Sequence, residues 1–503
     1  MTGTRRLSSR TEHVYKCSAI LKNKNVNRIE ILVDILIFLY YRNIGRSSKN
    51  KEEEDMLAFV ILYVILLLVI GIVDCFKVKN FEDYAVAGKK QSGVFVVLSL
   101  MATMIGASAT IGIMGRVTSI GFPAFWWLAV GSIGLILQSV LLSERVRGFN
   151  ADTLPDLVQK LVGKTGSSIV ALIIIISWPG IVASQILAMS SILALVTGKE
   201  NNKTLMLIVA IAVILYTIIG GQLSVIKTDA LQFIIIASAF LATFVYLFFF
   251  AKGDNSVVTD NIELLNSSYK LKDLLIQLFI VGGTYLLGPD VISRTLVAKD
   301  GKTAKRSSKI AAVSLFVFSI MIVMIGMWIV GNVKELDGQN PLLYIINDVL
   351  PMPIGTLLVV GLLSTLLSSA DTCLVNLASI LEHDVLKRNK VSELRIWAGI
   401  IGAIAVGIAF FKGDIIVMLT GAYSVYAPGI VCPLFVALLT CKKKKLCVPV
   451  WIAAVVCGGL CGALNTYIWK ELIYLPITGM GISLVLSLLA YKLGTSVDEV
   501  KET

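Results

Sequence analysis

Residues 104–115 read Met-Ile-Gly-Ala-Ser-Ala-Thr-Ile-Gly-Ile-Met-Gly, and residues 281–290 read Val-Gly-Gly-Thr-Tyr-Leu-Leu-Gly-Pro-Asp. Both stretches lie inside long apolar segments, where glycine and proline weaken a helix. Around them, segments such as Met56–Phe76, Thr228–Phe250 and Val448–Tyr467 carry few or no charges. A run of roughly 20 such residues crosses a hydrocarbon core of about 30 Å. In lipid the backbone must satisfy its own polar groups, and segments of this length do so as helices. Composition agrees: 56% of the chain is apolar and 16% charged, against roughly 45–50% and about 25% in soluble domains.

The expected architecture is an all-α polytopic membrane protein with about thirteen transmembrane helices. The expected spans are 57–76, 93–118, 121–143, 167–196, 204–221, 228–251, 273–298, 309–330, 355–385, 394–411, 414–440, 448–468 and 472–494. Lysine and arginine cluster in the loops after odd-numbered spans, at Lys89-Lys90, Arg145/Arg147, Lys302/Lys305/Arg306 and Lys442–Lys445. The positive-inside rule then places those loops and the C-terminus in the cytoplasm of a multi-pass plasma-membrane protein. The same distribution explains the net charge of +12 without a nucleic-acid partner. Residues 1–55 fit this topology poorly, because their basic residues would have to be translocated and Glu30–Tyr41 is too short to span. They are expected to be a disordered basic tail or foreign to the native protein, with translation starting at Met1 or at Met56. The purine-rich codons that Glu52-Glu53-Glu54-Asp55 require would suit a ribosome-binding site.

Catalytic chemistry has little to work with. His13 and His383 are the two histidines, and the eight cysteines are scattered, most within apolar segments. Cys441 and Cys447 flank four lysines without a histidine neighbour, so no zinc site is expected. No nucleophile–base–orienter set appears, which argues against an enzyme. No cofactor is expected.

The two glycine-rich stretches lie within the second and seventh spans, the first helices of blocks 2–6 and 7–11. Interrupted helices at corresponding places in two halves point to a carrier's midplane binding site. The matched placement of Gly106 and Gly282-Gly283 favours this over simple close packing. The ninth span adds Ser364-Thr365 and Ser368-Ser-Ala-Asp-Thr372. Residues 365, 368, 369 and 372 share one helical face. Asp371 beside that stripe is an intramembrane acid, a functional candidate by default. Hydroxyls, carbonyls and one acid suit Na⁺ or H⁺ without choosing between them.

These segments resemble the sodium:solute symporter family over Met56 to Lys492. Three stretches carry the resemblance. Tyr216-Thr-Ile-Ile-Gly-Gly-Gln-Leu-Ser-Val-Ile-Lys-Thr-Asp-Ala-Leu-Gln232 is similar to the family's Gly-Gly-x-x-x-Val-x-x-Thr-Asp-x-x-Gln stretch. Pro289-Asp-Val-Ile-Ser-Arg-Thr-Leu-Val-Ala-Lys-Asp300 resembles its exit from the seventh span. Ser368-Ser-Ala-Asp-Thr-Cys-Leu-Val-Asn-Leu-Ala-Ser-Ile-Leu-Glu-His-Asp384 resembles its ninth span. The resemblance implies a LeuT-like 5+5 inverted repeat with one extra helix before it and two after. On that frame 56–92 holds the first helix and a loop, 93–251 the first repeat, 273–440 the second, and 441–503 two C-terminal helices and a short tail.

It also implies sites. The main sodium site would take the backbone carbonyls of Ala102 and Ile105, the carbonyl of Thr365, and the hydroxyls of Ser368 and Ser369. Counting back from Asp384 selects that hydroxyl pair over Ser364 and Thr365. Asp371 and Thr372 fall where some members hold a second sodium, and Asp229 aligns with an acid on the ion's inward path. The substrate pocket would be lined by Met104, Ser108, Ala109, Val281, Gly282, Thr284, Tyr285 and Pro289. Tyr285 and Pro289 match proline-pocket positions, while Met104 and Val281 replace that carrier's aspartate and tryptophan. Ser108 and Ala109 stand where the galactose carrier has its sugar-binding residues, so a sugar is not expected. That lining reads as small, apolar and uncharged.

The expected function is sodium-coupled symport of a small organic solute, an amino acid or monocarboxylate, by alternating access. The partners are the solute, Na⁺ and the lipid bilayer, with the protein a monomer. The rivals are a proton-coupled or uncoupled carrier of the same fold, a transporter-like sensor component and an ion channel.

Overall fold

The computed structural model describes residues 49–198, 203–333, 336, 339–411, 415–469 and 474–496. The expectation for the N-terminal extension falls largely outside them. The chain divides at Leu62–Tyr63 into two units, and the site described below lies wholly in the second. The first described helix, Lys49–Cys75, starts before Met56, because its Lys- and Glu-rich opening consists of good helix formers.

Among the described residues, eleven helices are long and apolar enough to cross a membrane, or twelve with one bent pair counted as a span. The count of thirteen requires dividing Lys203–Phe249. At about 1.5 Å per residue its 47 residues reach roughly 70 Å, more than twice a hydrocarbon core. Gly221 interrupts it with φ 59° and ψ −170°, near the expected boundary. A side chain there would meet the Tyr84 ring at 2.6 Å, and the backbone itself favours glycine. Strand structure among the described residues is confined to a short antiparallel pairing of Lys444–Lys445 with Thr495–Ser496.

The bent pair is the glycine-rich stretch that opened the sequence reading. Helix Gly93–Met104 ends at Ile105, and Ser108–Ile120 continues at 58° to it. The seventh span behaves differently from expectation. Gly282 and Gly283 are helical, and the interruption lies at Gly288, extended at φ −64° and ψ 150°, just before Pro289. Proline disfavours the α region for its predecessor, which sets the break there. Gly282 instead permits close packing: a Cβ on it would sit 3.0 Å from the Val130 carbonyl, and one on Gly134 would sit 2.2 Å from the Gly282 carbonyl.

Helix Met352–Ser379, continued to Val385, is the hub. Most of its residues are buried, and it packs against Lys203–Phe249, Pro179–Thr197 and Gly93–Met104. Peripheral helices expose large aliphatics, such as Ile404 on Val391–Phe411 and Val485 on Leu475–Lys492. Such faces fit a lipid solvent. Helix starts between spans carry ordinary caps. Asp300 accepts from the Thr303 amide at 2.7 Å, and that bond, first among its causes, holds the carboxyl below the usual range.

Candidate ion and solute site

The site is built where the bent pair crosses the central helix. Once the helix stops at Met104, the next turn no longer closes on its last carbonyls. The Ala107 amide bonds Gln185 Oε1 at 2.9 Å, and the Ala109 amide bonds Gly106 at 3.1 Å. Ala102 and Ile105, both fully buried, thus have carbonyls that no amide of the following turn reaches among the described residues. Opposite them, Ser369 Oγ donates to the Thr103 carbonyl at 2.9 Å and lies 3.0 Å from the Thr365 carbonyl. Gly106 makes this approach possible, since a Cβ on it would lie 2.7 Å from Ser369 Oγ.

Ser368 points to the adjoining side, donating to Asp229 Oδ1 at 2.5 Å. Ser364 turns away, toward Tyr63 Oη at 2.8 Å and the Val360 carbonyl, and Thr365 Oγ1 bonds back to Leu362. The structure therefore brings the Ser369 hydroxyl to the Thr103 and Thr365 carbonyls at the crossing. Beside it lies the break whose Ala102 and Ile105 carbonyls lack a backbone partner among the described residues, while Ser368 serves Asp229. Carbonyl and hydroxyl oxygens are the ligand type that suits a hard monovalent cation.

Below that crossing lies a buried charge cluster. Asp229 receives Ser99 Oγ at 2.5 Å and Arg294 Nη2 at 2.9 Å. Arg294 Nη2 also donates to Thr103 Oγ1 at 3.0 Å and to Thr372 Oγ1. Arg294, Asp229, Asp371 and Thr372 are all fully buried, so the guanidinium offsets one of two carboxylates. Asp371 Oδ2 has no hydrogen-bond partner among the described residues. Sequence reasoning did not single out Arg294, because an arginine in an amphipathic exit segment reads as solvated. Ser99 and Thr103 carried a weak signal, two hydroxyls four apart on an apolar helix.

A small cavity opens beside Ser369. It is lined by Thr103, Met104, Gly106, Ser108, Ile181, Gln185, Tyr285, Asp290, Ser369, Cys373, Leu419 and Tyr423. Of the substrate candidates, Met104, Ser108 and Tyr285 reach it, and Tyr285 Oη donates to the Met104 carbonyl at 3.1 Å. Ala109, Val281, Gly282 and Thr284 do not line it. Pro289 lines a separate narrow cleft with Asp152 and Ser379. The wall is not uncharged, as the lining had suggested: Asp290 contributes a carboxylate. The register of the seventh span explains the difference, because its break falls at Gly288 and turns Asp290 inward. Gln185, a lone amide in an otherwise apolar span, was the legible signal for a polar wall there. The cavity volume, about 30 Å³, holds roughly two waters, so a solute must widen it.

A helical membrane protein with an interrupted helix crossing a hydroxyl-rich central helix, and a cavity at the crossing, has the form of a secondary carrier. The profile of the sodium:solute symporter family matches residues 84–445, and the chain belongs to that family. It is a multi-pass membrane transporter rather than an enzyme. It is 24% identical to the sodium/proline symporter of Haemophilus influenzae, over 84% of this chain and 89% of that protein. It is 25% identical to the osmoregulated proline transporter OpuE of Bacillus subtilis, over 66% of this chain and 72% of that one. The fold is shared with a Na⁺-coupled sialic acid symporter in a substrate-bound outward-open state, at TM-score 0.73 and 15% identity, covering 88% and 98% of the two chains. MhsT in complex with L-phenylalanine aligns at TM-score 0.54 and 16% identity, covering 80% and 99%. These likenesses establish the LeuT-like inverted-repeat fold expected from the sequence.

Proposed function

We propose that the protein imports a small amino acid in symport with Na⁺ across the plasma membrane, by alternating access. The observation that carries this reading is the double role of Ser369. Its hydroxyl bonds the Thr103 and Thr365 carbonyls beside the helix break, where the proposed ion ligands Ala102, Ile105 and Ser368 also belong, and it lines the solute cavity. An ion held there would fix the Met104–Gly106 break, and with it the wall that the solute touches. Asp371 and Thr372 are assigned to a second cation position or, with Asp229, to the inward exit path. The charge pattern of the loops supports a cytoplasmic C-terminus.

Proline is the first solute to test, because both curated relatives are proline carriers. The decisive experiment is uptake of labelled L-proline and other small amino acids into proteoliposomes under an inward Na⁺ gradient. Saturable uptake that collapses when choline replaces Na⁺ is expected. Uptake that ignores Na⁺ and follows a pH gradient would establish the second reading, a proton-coupled carrier. That reading draws its support from Asp371, a buried acid whose Oδ2 has no hydrogen-bond partner among the described residues.

A further inference from the structure

Asp290 is a carboxylate in the cavity wall with no cation of its own. Its oxygens accept from Trp178 Nε1 at 3.0 Å and Asn376 Nδ2 at 2.8 Å, with Cys373 Sγ at 3.7 Å. No lysine or arginine among the described residues forms an ion pair with it. Arg294 stands one helical turn further on, but its hydrogen bonds go to Asp229, Thr103 and Thr372. Removing an ionised carboxylate from water is expensive unless a countercharge meets it. The protein supplies neutral donors on one side and leaves the other side to the cavity.

We infer that Asp290 is the anchor for a positively charged amino group on the transported solute. The chemistry of the surroundings separates this from a further Na⁺ site. Na⁺ needs several oxygens, whereas Asp290 is ringed by an indole N–H, an amide NH₂ and a thiol. The remaining cavity wall nearby carries the Tyr285 and Tyr423 rings, and aromatic faces attract organic ammonium groups. A substituted ammonium can thus donate to Asp290 while its carbon skeleton meets aromatic and apolar surface. The solute class is therefore an α-amino or imino acid, and a monocarboxylate without an amine is excluded. The assignment rests on the symport reading above and names the side chain that recognises the solute's amine.

The test uses the full chain in lipid nanodiscs and measures binding, in NaCl or choline chloride, of four compounds. L-proline and L-alanine carry the amine; tetrahydrofuran-2-carboxylate and L-lactate are their amine-free counterparts. In the wild type, an amine-bearing compound should bind roughly 10- to 100-fold more tightly than its counterpart, the range set by a hydrogen bond to a charged group. Asp290→Asn should erase that preference and leave the Na⁺ concentration for half-saturation, measured without solute, unchanged. Asp290→Glu, which keeps the charge, should retain part of it. If Asp290→Asn does not fold, the wild-type preference and its survival in Asp290→Glu decide the matter. Equal binding of both classes by the wild type overturns the inference, as does an undiminished preference in Asp290→Asn. A shift in Na⁺ half-saturation without a change in preference makes Asp290 an ion ligand and also overturns it. Amine binding that is Na⁺-dependent and indifferent to Asp290 leaves the symport reading standing, whereas loss of Na⁺ dependence in the wild type removes that reading instead.

Discussion

Ser369 Oγ lies 2.9 Å from the carbonyl of Thr103, tying the central helix to the last turn before the break in the second span. Removing the hydroxyl takes away both this tie and a proposed cation ligand. Ser369→Ala should raise the Na⁺ concentration for half-maximal uptake by about tenfold, the effect of one lost ligand to a charged group. Ser364→Ala should leave it unchanged, because that hydroxyl faces Tyr63 and Val360. Na⁺ titrations of proteoliposome uptake compare the two. An effect confined to Ser364→Ala would mean that the ligand pair sits one turn earlier.

Arg294 sets a stability prediction. Breaking a buried ion pair by removing one partner costs about 3–5 kcal/mol, because the other charge stays behind unpaired. Arg294→Gln should therefore lower the unfolding temperature markedly in a fluorescence-detected thermal melt. Asp229→Asn in the same chain should recover part of the loss by removing the stranded carboxylate. A double variant that adds the two single losses would show that Asp229 and Arg294 do not act as a pair.

The same residues mark how far the sequence reaches. Membrane spanning, span order and the break near Ile105 are legible because length, apolarity and glycine are local properties of the chain. The Ser368-Ser369 face is legible because helical spacing alone brings those residues together. The seventh-span break is not: Gly282-Gly283 and Gly288-Pro289 both read as interruptions, and packing against Val130 and Gly134 decides that the first pair stays helical. Asp290 and Arg294 depend on that decision. Their roles follow from where the helix restarts after Gly288, which places one carboxylate in the cavity and one guanidinium against Asp229. A buried arginine is a tertiary fact, and its sequence neighbourhood looks like any amphipathic segment.

Gly106 offers a test of the crossing that does not touch a ligand atom. An added methyl would come within 2.7 Å of Ser369 Oγ and 3.1 Å of Gln185 Nε2, so the two helices must separate. Gly106→Ala should cut uptake by roughly an order of magnitude, in line with a small misplacement at a positioned site. Its unfolding temperature should fall as well, since overpacking a buried contact costs about 1–3 kcal/mol, but the protein should still fold and reach the membrane. Wild-type uptake in this variant would show that the approach of Gly106 to Ser369 has no part in transport.

Because Ser369 bonds the Thr103 and Thr365 carbonyls at the proposed ion site and also lines the cavity wall, ion and solute should share a binding free energy. Such coupling is reciprocal: if saturating Na⁺ tightens solute binding by some factor, saturating solute tightens Na⁺ by the same factor. Coupling energies of roughly 1–3 kcal/mol correspond to about 5- to 150-fold. Calorimetric titrations with L-proline at several Na⁺ concentrations, and with Na⁺ at several L-proline concentrations, should yield matching factors. Ser369→Ala should shrink both together, since one hydroxyl serves both sites. Thr372→Ala should shrink them less, because Thr372 Oγ1 meets Arg294 and Thr103 and does not line the cavity. Na⁺ affinity that stays constant across all solute concentrations would separate the two sites and leave Ser369 without a coupling role.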